Sequence, residues 1–233
     1  MTPAQASLLE RLRGGLIVSV QAWPGSAIDD PAVIAAMALA AQENGAVALR
    51  IQGAANLRAV RARVTVPTIG LIKREYAGFE PYITPTPDEV EAVAASGAEI
   101  VAFDATPRAR PGGAGPSGLV AAVHACGRLA MADCATVEDG RAALAAGAEI
   151  LATTLCGYTP QTRGTPLPAL RLAGELARLH APLVVCEGGI VRPTQVGEAL
   201  ASGAGAVVVG SAITNVDWLV REFAGSLACK PKP

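Results

Sequence analysis

The sequence predicts an α/β fold, a single (β/α)8 TIM barrel with an N-terminal helix, from three features of its patterning. Strongly apolar runs of strand length recur eight times, at residues 15–22, 46–53, 68–74, 99–106, 128–134, 149–158, 183–190 and 206–214, and almost every one ends in polar residues or glycine. Alanine- and leucine-rich segments with helical spacing lie between them, so strand alternates with helix from one end to the other. Several helices run into a glycine suited to the left-handed C-cap conformation and then directly into the next strand, at Gly45, Gly97, Gly147 and Gly203. That punctuation returns at about 50-residue intervals, the length of two β-α units, as a closed repetitive sheet requires. An open doubly wound sheet fits less well: eight runs of comparable apolarity leave no weak edge, and no G-x-G-x-x-G opens the first helix.

Taken in order, residues 1–13 read as a short amphipathic helix with Leu8, Leu9 and Leu12 on one side, without the basic start and unbroken apolar run of a signal peptide. Segments 31–44, 87–96, 137–146, 167–180 and 192–202 read as helices covering the strands. Residues 108–118, rich in glycine and proline, form a loop that could fold over a site as a lid. One domain, residues 1–229, accounts for the chain, with 230–233 expected as a disordered tail.

Composition narrows the function. The 233 residues are long enough to bury a full core without metals or disulfides. A net charge of -1 and a pI near 6.1 give no field for a polyanion, and no basic cluster with interleaved aromatics occurs, which argues against nucleic acid. No apolar stretch approaches bilayer length, so no membrane partner is expected. Five widely spaced cysteines, Cys126, Cys134, Cys156, Cys186 and Cys229, form an odd set without a C-x-x-C pair. They read as reduced thiols of a cytoplasmic protein, not as a metal site.

In such a barrel, function sits where strands end at their C-terminal rim. The strand ends are Gln21, Arg50, Gln52, Lys73, Arg74, Asp104, Thr106, Asp133, Thr153, Thr154 and Glu187, followed by the glycine-rich ends of the last two strands. Lys73 closes an apolar run where packing calls for no charge, and Glu187 stands on the strand across the mouth. Desolvation pushes an ammonium toward its neutral form, so the pair can serve as base and acid. Arg50 can bind a carbonyl or anionic oxygen, Gln21 and Thr153 can contact a sugar, and Asp133 can hold hydroxyls or orient the lysine. Gly188, Gly189, Gly210 and Ser211 form two turns whose amides can cradle a phosphate that a β-carbon would keep away. His124 and His180 fall outside the rim and toward the opposite face, which removes histidine acid/base chemistry.

These residues lie within motifs that resemble the N-acylglucosamine-6-phosphate 2-epimerase family, also called N-acetylmannosamine-6-phosphate 2-epimerase, of bacterial sialic acid breakdown. The similar stretches are 15–22, 70–76, 82–86, 104–106, 131–133, 153–159 and 186–188, spread over nearly the whole chain. The resemblance implies a cofactor-free enzyme that inverts C2 of an N-acetylhexosamine 6-phosphate, with Lys73 handling the C2 proton, Glu187 assisting, and Gln21, Arg50 and Asp133 on the sugar. Gly189 and Asn215 stand where the family usually has arginine. Either backbone amides and another basic residue such as Arg192 hold the phosphate, or the substrate differs. Two other functions compete: a Schiff-base lyase or aldolase with Lys73 as nucleophile, and a non-catalytic sugar-phosphate binder. A homodimer is expected for a barrel with apolar helix faces.

Overall fold

The computed structural model describes residues 1–227. Strands β1 (Leu16–Val20), β2 (Ala48–Gln52), β3 (Thr68–Leu71), β4 (Ile100–Asp104), β5 (Leu129–Asp133), β6 (Ile150–Ala152), β7 (Leu183–Glu187) and β8 (Ala206–Val209) close in chain order into a barrel. Every pairing is parallel, and β8 returns to β1 through Leu16 opposite Val207. The helices are α1 (Pro3–Leu12), α2 (Pro31–Glu43), α3 (Ala54–Arg61), α4 (Pro87–Ala95), α5 (Pro116–Ala125), α6 (Val137–Ala145), α7 (Leu170–Ala177), α8 (Thr194–Ala201), α9 (Ser211–Thr214) and α10 (Val216–Leu227). The expected barrel is therefore the observed one. The four punctuating glycines take φ of +99° (Gly45), +93° (Gly97), +102° (Gly147) and +107° (Gly203), which end each helix and turn the chain into its strand.

Side chains alternate along each strand, so one set fills the barrel and the other packs under the helices. Ile17, Ala48, Ile69, Ile100, Leu129, Ile150, Leu183 and Ala206 form one interior cluster, with Met131, Val185 and Val208 above. Leu8, Leu9 and Leu12 join that same cluster, so α1 closes the N-terminal mouth of the barrel. A Thr2–Gln5 capping box and Pro3 start this helix, which is why a segment of only 10 residues is helical here. The alternate set, including Val18, Leu49, Val101, Phe103, Ala130 and Leu151, belongs to the layer shared with the helices. Gly70 is needed in that layer: a β-carbon on it would lie 2.5 Å from Val93 and 2.8 Å from Ala98.

Several boundaries differ from the sequence reading. The third run leaves the barrel sheet at Leu71, before Lys73, and the sixth at Ala152, after which residues 153–165 turn repeatedly. The last four residues of the eighth run form α9, and the helix expected over 167–180 contracts to α7, with His180 at a positive φ of +57° beyond its C-terminal end. Helices α3, α5 and α10 had no counterpart among the named segments, and α5 begins at Pro116, inside the stretch 108–118 expected as a loop. Cys126, Cys134, Cys156 and Cys186 are free thiols. Cys229 and the tail expected at 230–233 lie outside the described residues. Among those residues, no helix is long and apolar enough to cross a membrane.

Leu12 is fully buried against the barrel floor. Leu12→Ala is expected to cost about 2–5 kcal/mol of unfolding free energy, measured as a lower urea midpoint at unchanged slope.

Candidate active site

The inward set becomes polar as each strand reaches the C-terminal rim. From β1 to β8 it ends in Ser19, Arg50, Lys73 beyond β3, Asp104, Asp133, Thr154, Glu187 and Gly210. The same alternation that builds the apolar floor thus delivers a ring of chemistry at the top. Above this ring lies a cavity of about 330 Å³, lined by Ser19, Gln21, Trp23, Arg50, Lys73, Tyr82, Thr154, Tyr158, Glu187, Gly188, Gly189, Gly210, Ser211, Asn215 and Trp218, among others.

Arg50 is the hub. Only 1% of its side chain is exposed, and its guanidinium grips Asp133 with both nitrogens, Nη2 to Oδ2 at 2.6 Å and Nη1 to Oδ1 at 3.1 Å. The same Nη1 lies 3.1 Å from Glu187 Oε2. Burial alone would pull the Arg50 pKa down, but Asp133 and Glu187 outweigh it and hold the cation above its usual range. Thr154 Oγ1 lies 2.7 Å from Asp133 Oδ1 and 3.1 Å from Glu187 Oε2. One hydroxyl proton cannot serve both. Where it goes to Glu187 it favours the carboxylate, and so opposes the effect of burial there.

Glu187 is pushed up to about 7, first by burial, against the pull of Arg50, with Asp133 adding repulsion. Lys73 is shifted down, first by desolvation and then by Arg50, with Glu187 and Asp133 opposing. Its side chain is exposed and lines the cavity. Among the described residues no carboxylate lies within 4.0 Å of its ammonium. The third and seventh strands of eight place Lys73 and Glu187 on opposite walls of one cavity.

Gln21 reaches the wall, with its amide nitrogen turned to Ser19 Oγ at 2.8 Å. Gly188 and Gly189 have φ of +104° and +70°. The N–H groups of these two glycines, and of Gly210, Ser211 and Ala212, have no protein acceptor among the described residues. Among the described residues, Arg50 and Lys73 are the cations that line the cavity. Arg192 is exposed and absent from the lining.

Two expected sugar contacts are placed elsewhere. Thr153 has the outward parity of Leu151. Its hydroxyl is buried in the strand ladder, where it donates to Glu187 O at 2.8 Å and accepts the Glu187 N–H at 3.0 Å. Its neighbour Thr154 faces the cavity instead. Asp133 is 0% exposed and lies beneath the wall, bound to Arg50 and Thr154. Asp104 is likewise consumed, pairing with Arg108 at 2.7 Å and Arg110 at 3.2 Å, which tethers the start of loop 108–118 to β4. His124 pairs with Glu149 away from the cavity.

The strand-end reading missed Tyr82, Tyr158, Trp23 and Trp218, which all line the cavity from loops and from α10. The chain holds only 2 tryptophans and 3 tyrosines, and that scarcity was the available signal. Asn215 caps α10, accepting the Trp218 N–H on Oδ1 at 2.8 Å. A β-carbon on Gly189 would lie 2.3 Å from Leu167 Cβ, so Leu167 fills the space a larger residue would need.

A family model described as "Putative N-acetylmannosamine-6-phosphate epimerase" matches residues 34–228. A Klebsiella pneumoniae relative of nearly the same description is 49% identical over 215 residues, covering 91% of this chain and 90% of its own. One from Thermosynechococcus vestitus is 45% identical over 222 residues, covering 95% and 96%. The solved structure of the N-acetylmannosamine-6-phosphate 2-epimerase from Clostridium perfringens superposes with a TM-score of 0.90 at 39% identity, over 94% of this chain and 96% of that one.

Removing the charge at Asp133 takes away repulsion on Glu187 and leaves Arg50 to Glu187 alone, and both changes favour the carboxylate. Asp133→Asn is expected to bring Glu187 below its value of about 7, read from the carboxyl ¹³C shift of Glu187 against pH. The variant also loses a buried charge partner, so a lower melting temperature is expected with it.

Proposed function

The chain belongs to the N-acetylmannosamine-6-phosphate epimerase family, and from that premise we propose how its cavity inverts C2 of the sugar. The protein is an epimerase acting on N-acetylmannosamine 6-phosphate in amino sugar catabolism and sialic acid degradation. The observation that carries the mechanism is the placement of one amine and one carboxyl on opposite walls of a single cavity.

In the open-chain sugar, C2 neighbours the C1 aldehyde, so losing its proton gives an enolate. Neutral Lys73 takes the C2 proton onto Nζ, and the C–H electrons move into the C1–C2 bond and onto the aldehyde oxygen. Hydrogen-bond donors and the Arg50 cation oppose the charge that develops there. Protonated Glu187 then delivers a proton to C2 from the other face, which inverts the centre and leaves a carboxylate beside Arg50. Exchange with water returns both groups to their starting states. Every step uses side chains of this chain. Lowering Lys73 and raising Glu187 serve the same end, because each then holds its reactive form nearer neutral pH.

The 6-phosphate is assigned to the glycine end, supported by the amides of Gly188, Gly189, Gly210 and Ser211 that have no other acceptor. The neutral wall there supports a second reading, in which the free N-acetylhexosamine is also a substrate. A homodimer is supported by α10, which buries none of its residues and exposes Val216 (50%), Val220 (59%), Phe223 (75%) and Leu227 (78%) at helical spacing. The free thiols support a reducing, cytoplasmic setting.

In deuterium oxide, turnover is expected to place deuterium at C2, followed by NMR on both the phosphorylated and the free sugar. Lys73→Ala is expected to abolish exchange, and normal exchange in that variant would remove Lys73 from its role. Because the reactive forms are neutral Lys73 and protonated Glu187, the rate is expected to follow a bell in pH, with one limb near 7 set by Glu187 and the other set by the lowered Lys73. Phe223→Asp is expected to halve the mass seen by sedimentation, and an unchanged mass would take α10 out of the interface.

A further inference from the structure

We infer that Thr84 is a positioning residue that aims Lys73 into the cavity; the inference rests on the reading of Lys73 as the base. Lys73 does not belong to β3, which ends at Leu71. Direct pairing between β3 and β4 is confined to Ile69 opposite Ile100 and Gly70 opposite Val101. Beyond that point the chain leaves the barrel as a hairpin, and its return arm comes back between the two strand ends.

Hydrogen bonds define this insertion. Lys73 pairs antiparallel with Ile83. The Arg74 N–H donates to Tyr82 O at 2.9 Å, and the Thr84 N–H donates to Ile72 O at 2.7 Å. On the other side, the Asp104 N–H donates to Ile83 O at 3.0 Å, so the arm is bonded to the β3 extension and to β4 at once. At its root the Thr84 hydroxyl bridges the two strands. It donates to Ala102 O at 2.7 Å and accepts the Ile72 N–H at 3.2 Å. Thus one hydroxyl occupies the seam where strand-to-strand pairing has stopped.

The backbone marks the same residue. Thr84 is fully buried with φ of +44°, a conformation that β-branched residues avoid, and the surrounding bonds hold it there. Lys73 depends on this support more than most side chains would. Its ammonium has no hydrogen-bond or ion-pair partner among the described residues, so its direction is set by its backbone and by packing. The arm also carries Tyr82 and Ile83, which line the cavity beside Lys73. Loosening the root therefore frees the base and admits water around it, which undoes the desolvation that lowers its pKa.

The test compares wild type with Thr84→Val, Thr84→Gly, Thr84→Ser and Lys73→Ala, measuring kcat and KM for N-acetylmannosamine 6-phosphate from pH 5 to 10. Valine keeps the shape and removes the hydroxyl, whereas glycine relieves the positive φ and removes it, so the glycine variant decides the matter if the valine protein does not fold. Both are expected to lose at least about 10-fold in kcat with KM changed less than about 3-fold, as misplacement of a reacting group predicts. The limb of their pH profile set by Lys73 should move to higher pH, while Thr84→Ser, which retains the hydroxyl, should stay within about 3-fold of wild type. A folded hydroxyl-free variant with wild-type kcat and pH profile, whatever its melting temperature, overturns the inference. Lys73→Ala separates the two ideas: if it turns over normally, the base assignment and the positioning role fall together. If it is inactive while the hydroxyl-free variants are normal, only the positioning role fails.

Discussion

The site depends on the buried Arg50 guanidinium shared between two carboxylates. A cation this deep persists only if opposite charge compensates for its lost water, and Asp133 does so with a two-point grip at 2.6 and 3.1 Å. That grip fixes the fork, and the same Nη1 that meets Asp133 lies 3.1 Å from Glu187. Glu187 is left with half a partner. Attraction to Arg50 lowers its pKa, while burial and the nearby Asp133 raise it, and the upward effects win. The ion pair that stabilises the rim therefore leaves one carboxyl able to change protonation near neutrality.

Lys73 is held in a different way. Glu187 is bound into a charge network within the barrel wall, whereas Lys73 rides on a hairpin wedged between β3 and β4. The absence of a close carboxylate matters, because an ion-paired lysine would keep its proton. The hairpin keeps the amine near enough to feel both acids without contact. Its other end is secured by Glu89, which is 1% exposed and accepts from Arg74 at 3.0 Å and Tyr76 at 2.6 Å.

The glycine end works by what it lacks. Gly188 and Gly189 adopt positive φ and leave their amides bare, and Leu167 fills the space that a side chain at 189 would take. Asn215 turns its side chain to cap α10 and not to meet an anion. The two positions where the family usually carries arginine are thus given to backbone geometry and helix capping. Trp23 and Trp218 complete that wall, and Arg221 of α10 stacks on Trp23 at 4.6 Å.

Strand number, closure, the N-terminal helix and most of the rim were legible in the sequence. Period-two burial and glycine-capped helices are local signals that any barrel of this kind must carry. Lys73, Arg50 and Glu187 stood out because a charge after an apolar run has no packing reason to be there. The ends of β3 and β6 and the first turn of α7 were not legible, since apolar composition continues past the point where pairing stops. The aromatic wall also escaped, because Tyr82, Tyr158, Trp23 and Trp218 come from loops and a helix that the strand-end rule does not cover.

The sequence by itself determined a closed eight-strand barrel and which side chains could do chemistry at its mouth, because those follow from periodicity along the chain. Only the tertiary structure decided that Asp133 serves Arg50 instead of the cavity, that Thr154 faces inward and Thr153 outward, and that Lys73 stands on a hairpin. Charge pairing, strand parity at a frayed end and insertion of one loop between two strands depend on distances between segments far apart in the chain, and no local pattern encodes them.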